Sequence, residues 1–299
     1  MINKVEWTDF IYKLEAFGLK ILEKIFLLIG LKWSSFISGL LMVLIGPLTP
    51  PSFLALRNLK KAMPELTFFQ RFKIMLGMWN NLGKNIAEFV LINNMSFEEI
   101  QKYINIDDET QKNLEKIKNS KDGELIFTAH FGNWEIFSRI FEYLNVPTSG
   151  VYRPLNNKYV DEIVLKYRKR NKIVEMIPKG ANGVMKLVRS LKEGRKILML
   201  VDQRLSNGLN VKFLNNDAKT TDSIATFALK YNRKVYSTVV FRRSFSSFFD
   251  IKVEEFDVVN TGNLKEDIEA TTIKINEKIE EWIRLKPEQW FWVHNRWKQ

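Results

Sequence analysis

Cysteine is absent from the 299-residue sequence, and histidine is nearly absent, with only His130 and His294. The lack of cysteine excludes disulfides, thiolate metal sites and a cysteine nucleophile. The shortage of histidine excludes a metal site built on several imidazoles, although composition leaves a carboxylate-rich site open. We therefore expect chemistry that uses neither a metal nor a cofactor.

Acidic residues are outnumbered by basic ones, 34 against 46, which gives a formal net charge of +12. This excess predicts an anionic partner, such as nucleic acid, phospholipid headgroups, a phosphorylated substrate or an acidic protein. The basic residues are dispersed along the chain and form no recognisable nucleic-acid module. Together with a long apolar segment near the N-terminus, this favours a membrane and argues against nucleic acid.

The apolar segment runs from Ile25 to Leu48 and carries only one charge, at Lys32. A spanning helix needs roughly 20 apolar residues, so a span is marginal, and Gly30 and Gly46 offer places to bend. A span, an element lying in the membrane interface and a buried core helix all remain open. We predict a membrane-anchoring helical segment at residues 1–50 and a catalytic domain at 51–299, with a helical lead-in at 51–120.

Apolar residues recur every three or four positions in the lead-in and predict a buried helical face made of Phe68, Phe72, Met75, Trp79, Leu82 and Ile86. After residue 123, short apolar runs alternate with amphipathic segments. The runs predict strands at 124–129, 149–152, 173–178, 196–201 and 235–241. Helices are predicted at 134–145, 157–171, 180–193, 220–232 and 265–285. Such alternation predicts an α/β fold whose site lies at the carboxyl ends of the strands.

The most informative motif begins with His130, directly after a predicted strand, and ends with Glu135 in the first turn of the next helix. Asn133 could cap that helix, or bind substrate. The turn at Gly132 allows the Glu135 carboxylate to fold back on the imidazole. We predict that Glu135 fixes the tautomer of His130, whose other ring nitrogen takes a proton from a hydroxyl. The alternative is a structural histidine in the core.

Three more polar residues follow predicted strands and are candidates for substrate binding: Arg153, Asp202 and Arg204. A guanidinium at Arg153 can hold a phosphate or stabilise an oxyanion, unless it is a surface arginine. We expect Arg204 to act as an anion clamp with Asp202 as its support. Asp202 could equally serve only to order a turn.

His294 lies in a C-terminal run with Trp290, Trp292 and Trp297. Tryptophans beside basic residues suit a membrane interface, which is the interpretation we adopt for this run. We expect His294 to be structural.

The chain resembles the bacterial lipid A biosynthesis late acyltransferases, which belong to the glycerophospholipid acyltransferase superfamily and share its motif of histidine, four residues and an acid. The resemblance spans most of the chain in ordered segments. They are NLKKAMPEL (58–66), HFGNWE (130–135), GVYRPLNN (150–157), VDQR (201–204), VKFLNNDAKT (211–220) and PEQWFWVHNRWK (287–298). One departure is FLNN at 213–216, where the family usually has Phe-Phe-Gly, so a loop near the site is expected to differ in shape.

This resemblance implies a mixed sheet flanked by helices, and an enzyme on the cytoplasmic face of the inner membrane. It also implies acyl transfer from acyl carrier protein to a lipid A precursor, with His130 deprotonating the acceptor hydroxyl. No acyl-enzyme is needed, which agrees with the lack of cysteine and of a G-x-S-x-G motif. Two alternatives stay open: an acyl-CoA-dependent enzyme acting on another membrane glycolipid or phospholipid, and an inactive membrane-binding scaffold.

Overall fold

The computed structural model of the chain describes residues 4–168, 173–244 and 246–298. A seven-stranded mixed sheet with helices on both faces forms its centre, and a separate two-stranded hairpin bonds to the C-terminal segment. The long apolar helix precedes this centre in the chain. The predicted α/β fold is therefore confirmed.

Within the described residues the α-helices are α1 (Lys4–Ile45), α2 (Pro50–Ala62), α3 (Phe68–Asn94), α4 (Phe97–Gln101), α5 (Asp108–Asn119), α6 (Ile136–Tyr143), α7 (Lys158–Arg168), α8 (Ala181–Lys192), α9 (Ser223–Tyr231) and α10 (Leu264–Leu285). The strands are β1 (Ile104–Ile106), β2 (Leu125–Thr128), β3 (Thr148–Tyr152), β4 (Val174–Pro178), β5 (Lys196–Leu200), β6 (Leu209–Phe213), β7 (Asn216–Thr220), β8 (Val235–Arg242) and β9 (Phe249–Phe256).

The strand order of the large sheet is β1-β9-β8-β2-β5-β3-β4. β2 pairs in parallel with both β5 and β8, and β3 pairs in parallel with β5. β8 and β9 pair antiparallel, which makes the sheet mixed. Because parallel strands end at the same edge, the residues that follow β2, β3 and β5 meet there.

Alternating side chains of the central strands supply two core layers. Leu125 and Phe127 pack on the side of α9, α10 and the C-terminal segment. Ile126 packs on the opposite side, with α5 and α6. Burial on both faces explains why β2 begins with three consecutive apolar residues, a run that can be recognised in the sequence.

The five strands expected from the sequence are present, whereas β1, β6, β7 and β9 were missed. β1 has only three residues, and β6 and β7 form a largely polar hairpin. β9 alternates buried with less buried residues, a period of two that could have been read. The five helices expected between and after those strands are also present, but the predicted end of α7 beyond residue 168 lies outside the described residues.

The predicted buried face of the lead-in is partly wrong. Met75 and Trp79 are buried, but Phe68 and Ile86 are exposed. The buried face of α3 is instead shared with polar side chains, which are Asn81, Lys84, Asn85 and Glu88. The polar contacts of the site described below explain the burial of Asn81, Asn85 and Glu88.

The C-terminal tryptophans do not form a membrane interface, which corrects that interpretation. Trp290, Trp292 and Trp297 are all buried in the core on the α10 side of the sheet. Each indole N–H finds an internal acceptor, namely Asp202 Oδ2, Pro287 O and Phe213 O respectively. Indoles that are buried and whose N–H groups bond to internal acceptors are typical of a folded core rather than of a hydrated membrane interface.

Candidate active site

His130 lies in the loop that joins β2 to α6, at the carboxyl edge of the sheet. The turn after it depends on Gly132, whose φ of +56° lies in the left-handed region. A Cβ at this position would stand 1.8 Å from the carbonyl oxygen of Val240. Close packing of the turn against β8 therefore requires glycine and fixes the place of His130.

One face of α3 binds this turn. Asn81 Nδ2 and Asn85 Nδ2 donate hydrogen bonds to Gly132 O at 3.0 and 2.6 Å. Glu88, on the same helix face, accepts a hydrogen bond from Asn133 Nδ2 at 2.8 Å. Two consecutive residues of the turn are thus held by three side chains of one helix.

A buried ion pair orients those α3 side chains. Arg242, the last residue of β8, donates to the two carboxylate oxygens of Glu88 at 2.5 and 2.8 Å. It also donates to Asn81 Oδ1 and Asn85 Oδ1 at 2.8 and 2.6 Å. Burial alone would raise the pKa of Glu88, but the contacts with Arg242, Ser35 and Asn133 hold the pKa below its ordinary value. The carboxylate is therefore ionised and fully bonded.

The C-terminal segment binds the turn from another side. Gly132 N donates to Gln289 O at 3.0 Å, and Phe291 N donates to His130 O at 3.1 Å. The Gln289 side chain makes two hydrogen bonds of 2.8 Å with the backbone of Arg242. Three distant parts of the chain therefore meet at the residues next to His130.

The carboxylate that contacts the imidazole is Asp202, which follows β5. Its Oδ1 lies 2.8 Å from His130 Nδ1. Its Oδ2 accepts hydrogen bonds from the His130 backbone N–H and from Trp290 Nε1, at 3.1 and 2.8 Å. Burial alone would raise the pKa of Asp202, but the contacts with His130 and Trp290 lower the pKa to about 2. An ionised Asp202 only accepts hydrogen bonds, so it binds His130 with the proton on Nδ1.

The other ring nitrogen of His130 is then the one that can take a proton. This Nε2 lies 3.4 Å from Nε2 of Gln203. His130 and Gln203 both line a cavity of about 400 Å³, together with Trp134. With the proton on Nδ1, the Nε2 lone pair faces the Gln203 amide, and a hydroxyl that enters the cavity can take the place of this amide as the donor to Nε2.

The expected contact between Glu135 and His130 is replaced by a different pairing. Both oxygens of the Glu135 carboxylate bind Arg168 at the end of α7, with Nε of Arg168 at 3.2 Å from Oε2. Trp134 Nε1 donates to the same carboxylate at 3.1 Å. Glu135 directly precedes α6 with helical backbone angles, and α7 supplies its partner. Asp202 therefore occupies the position beside the imidazole that we had assigned to Glu135.

Asn133 and Arg204 also differ from expectation. Asn133 does not cap α6, because its side chain binds Glu88. Arg204 does not pair with Asp202 but donates to Lys298 O at 2.8 Å and to Ser206 Oγ at 2.9 Å. The expected support fails because the Asp202 oxygens are taken by His130 and Trp290.

The cavity wall brings together three of the expected site residues, His130, Glu135 and Arg153. Arg153 is exposed at the mouth, and Lys179 and Arg168 add positive charge to the wall. Within the described ranges, no group of three or more His, Cys, Asp or Glu is placed to hold a metal ion. The charge of the cavity therefore suits an anionic substrate.

A second cavity of about 470 Å³ adjoins the first. The two share Val151, Lys179, Leu200 and Gln203 as lining residues. The second is bordered largely by aliphatic side chains from β5, α8 and the neighbouring loops. The first cavity, which carries the charged side chains, and the more apolar second cavity thus meet beside Gln203, next to His130.

His294 lies behind the loop that follows Asp202. Its Nε2 accepts a hydrogen bond from the backbone N–H of Arg204 at 2.9 Å. Burial lowers the pKa of His294 to about 4, so the ring is neutral at physiological pH, as an acceptor must be. These contacts agree with a structural role.

Sequence reasoning missed Arg168 and the pair of Arg242 with Glu88. No local sequence pattern indicates that Arg168 pairs with Glu135, because the two residues are 33 positions apart. A local pattern does exist for Glu88, since Asn81, Asn85 and Glu88 recur at helical spacing on a helix whose neighbouring positions are apolar. Polar residues repeated on a buried face require buried partners.

Comparison with known proteins yields consistent matches. A family model described as bacterial lipid A biosynthesis acyltransferase matches residues 6–299. The lipid A biosynthesis palmitoleoyltransferase of Escherichia coli strain K12 is 24% identical over 249 residues, covering 82% of this chain and 78% of that protein. The lauroyltransferase of the same strain is 23% identical over 245 residues, covering 81% and 77%. A lipid A biosynthesis acyltransferase of Haemophilus influenzae is 25% identical over 248 residues, covering 82% and 76%.

Arg242→Met should destabilise the protein by about 3–5 kcal/mol, because it leaves the buried Glu88 carboxylate without its counter-charge. Denaturant unfolding in detergent, followed by tryptophan fluorescence, measures this. The matched control is Arg243→Met at the next position, where Arg243 pairs with Asp250 at the surface with 51% of its side chain exposed. Exposed pairs contribute little, so the control should unfold like the wild type. Equal losses in both variants would contradict a special role for Arg242.

Proposed function

Since the chain belongs to the bacterial lipid A biosynthesis acyltransferase family, we propose that it transfers a fatty acyl chain from an acyl carrier protein thioester to a hydroxyl of a lipid A precursor, with His130 as general base. Acyl transfer in lipid A biosynthesis follows from the family. The donor, the acceptor hydroxyl and the roles of individual residues are our proposal.

The observation that carries this proposal is the contact between Asp202 and His130 at the edge of a cavity. An ionised Asp202 holds the proton on Nδ1, which leaves the Nε2 lone pair for the acceptor hydroxyl. Asp202 itself is 2% exposed and remains ionised, because its pKa is lowered to about 2. Its charge stabilises the imidazolium that forms during the reaction.

In the proposed reaction, Nε2 removes the hydroxyl proton while the hydroxyl oxygen attacks the carbonyl carbon of the thioester. The carbonyl π electrons move to oxygen and give a tetrahedral intermediate, beside which the Gln203 amide is available as a hydrogen-bond donor. When these electrons return, the C–S bond breaks and the thiolate takes the proton from His130. An ester and a free thiol leave, and the imidazole is neutral again.

Direct transfer suits the composition of the chain. With no cysteine, no thioester can form on the enzyme. The junction of the two cavities also supports direct transfer, because a thioester there would have its carbonyl near His130 and its alkyl chain in the apolar compartment. The acceptor would then enter through the more polar cavity.

Glu135 has a different role in this scheme from the one its motif suggests. Its carboxylate holds the Arg168 guanidinium on the cavity wall. We propose that Arg168 and Arg153 bind the phosphate groups of the acceptor or of the donor's prosthetic arm. Glu135 then contributes to binding and positioning rather than to proton transfer.

We place the protein at the cytoplasmic face of the inner membrane. The acceptor is a lipid, and the basic surface suits both anionic headgroups and an acidic carrier protein. The division into an anchoring segment at 1–50 and a catalytic domain at 51–299 remains part of this proposal.

The decisive assay incubates the membrane-bound protein with a lipid A precursor and acyl carrier protein thioesters, and identifies the product by mass spectrometry. His130→Ala should lower turnover by roughly 10²- to 10⁴-fold, because general-base assistance is lost, in a variant that circular dichroism shows to be folded. Turnover within about tenfold of the wild type would exclude His130 as the base. A parallel reaction with acyl-CoA tests the donor, and faster use of acyl-CoA would replace the carrier protein in the proposal.

Asp202→Asn should lower kcat by roughly 10²- to 10⁴-fold and should also shift the pH dependence of kcat, because the amide no longer stabilises the imidazolium. The matched variant is Glu135→Gln, which removes the negative charge that pairs with Arg168. It should lower kcat/KM without shifting the pH dependence of kcat. If Glu135→Gln moves the profile and Asp202→Asn does not, the assignment of the two carboxylates is reversed.

Arg153→Ala should lower kcat/KM by roughly ten- to a hundredfold, since a charged hydrogen bond contributes about 1.5–3 kcal/mol. Arg189→Ala serves as the control, because Arg189 is exposed on α8, pairs with Glu193 and borders neither cavity. A larger kinetic loss for Arg189→Ala than for Arg153→Ala, with both variants stably folded, would contradict the placement of the phosphate site.

A further inference from the structure

The helix α1 is divided at Gly30, whose φ of 76° and ψ of 173° are not helical. We call residues 4–29 the first arm and residues 31–45 the second arm. Ser34 Oγ donates to Phe26 O at 3.2 Å across the break, which fixes the two arms relative to each other. A glycine is favoured here because other residues rarely adopt a positive φ.

The second arm packs along α3 at very short range. A Cβ at Gly83 would stand 2.3 Å from Ser38 O, and one at Gly39 would stand 2.8 Å from Asn80 Nδ2. Ser35 Oγ donates to the buried Glu88 at 2.7 Å. The second arm is therefore part of the same packed body as the catalytic turn.

The first arm binds α7 and the loop before it through polar contacts. Asn157 Nδ2 donates to Tyr12 O at 3.0 Å and to Glu15 at 2.7 Å. Tyr159 and Tyr167 donate through their hydroxyls to Asp9 and Glu23. The side of the first arm that faces α7 is therefore an intramolecular contact made by charged, hydroxyl and amide groups.

The outer sides of both arms are apolar and exposed. Exposed apolar side chains recur at three- and four-residue spacing, namely Leu14, Phe17, Ile21, Ile25 and Leu28 on the first arm and Trp33, Phe36, Leu40 and Leu44 on the second. Phe53, Phe68 and Phe69, which begin or lie near the start of α2 and α3, are exposed as well. A surface this apolar is unusual for a soluble protein. Exposed basic residues, including Lys20, Lys24 and Lys32, lie among these side chains and suit anionic lipid headgroups.

Neither arm is suited to cross a bilayer alone. Taken as one segment, Glu6–Leu48 is long and apolar enough to span. The second arm, however, has 15 residues and a length of roughly 22 Å, short of the roughly 30 Å of a hydrocarbon core. The first arm carries charges at Asp9, Lys13, Glu15 and Glu23. To span, the arms would also have to carry the polar faces of α3 and α7 into lipid.

We infer that α1 does not cross the membrane but lies in its interface as a bent anchor, with both arms on the same side as the catalytic domain. The exposed apolar faces enter the headgroup region of an anionic bilayer, and the lysines remain at its surface. This inference rests on the proposed location at a membrane, but it does not depend on the chemistry at His130. It also places α7, which carries Arg168, between the lipid surface and the cavity.

The absence of cysteine allows a direct topology test on the full-length chain. Thr8→Cys reports the first arm and Lys118→Cys, on the exposed side of α5, reports the catalytic domain. A membrane-impermeant maleimide is applied to intact spheroplasts and to inverted inner-membrane vesicles. Both variants should label in inverted vesicles and resist labelling in spheroplasts. Labelling of Thr8→Cys in spheroplasts, with Lys118→Cys labelled only in inverted vesicles, would show that α1 spans and would overturn the inference.

Flotation with phosphatidylglycerol-containing vesicles tests the lipid-facing surface independently. Leu28→Glu should weaken partitioning by roughly ten- to a hundredfold, because a buried leucine contributes that much and the carboxylate is repelled. Leu264→Glu is the control, since Leu264 is 45% exposed at the start of α10, whereas the other end of that helix adjoins Lys286, which borders a cavity together with Val43 of α1. Equal flotation of Leu28→Glu and wild type would overturn the proposed surface. Acyl transfer is measured on the same samples, so that a failure of the proposed catalytic function is distinguished from a failure of the proposed membrane-binding surface.

Discussion

The buried pair of Arg242 and Glu88 is the contact on which the rest of the structure depends. Arg242 ends β8, Glu88 lies on α3, and each is almost fully buried. The two charges compensate each other, while Asn81 and Asn85 accept further hydrogen bonds from the guanidinium and donate in turn to Gly132 O. A buried pair of this kind gives little net stability, but it is costly to break. It therefore specifies one arrangement of the sheet, the lead-in helix and the turn that follows His130.

The same carboxylate joins α1, the proposed membrane anchor, to the turn that follows His130. Glu88 accepts hydrogen bonds from Ser35 in the second arm of α1 and from Asn133 in the turn after His130. The proposed anchor is thereby connected to the residues that position His130, the proposed general base. For an enzyme whose acceptor is a lipid, such a connection sets the height and orientation of the cavity relative to the bilayer.

The sequence allowed the central strands, the position of His130 and the edge of the sheet that carries the site to be predicted, because apolar runs and parallel strand ends follow local rules. The partner of His130 could not be predicted in this way. Glu135 is near His130 in sequence, but its backbone is helical and its carboxylate binds Arg168. The carboxylate that contacts His130 belongs to Asp202, which follows the neighbouring strand β5. Burial of Trp290 was missed for a similar reason, since its internal acceptor is 88 residues away.

The tautomer of His130 is the property that tests these assignments most directly. With only two histidines in the chain, ¹⁵N NMR of labelled imidazoles gives two ring systems, and His130→Ala assigns them. In its neutral form, His130 should carry the proton on Nδ1, shared with Asp202, and leave Nε2 unprotonated. A neutral His130 with its proton on Nε2 would contradict the proposed base, because that nitrogen could not then accept the proton of the acceptor hydroxyl.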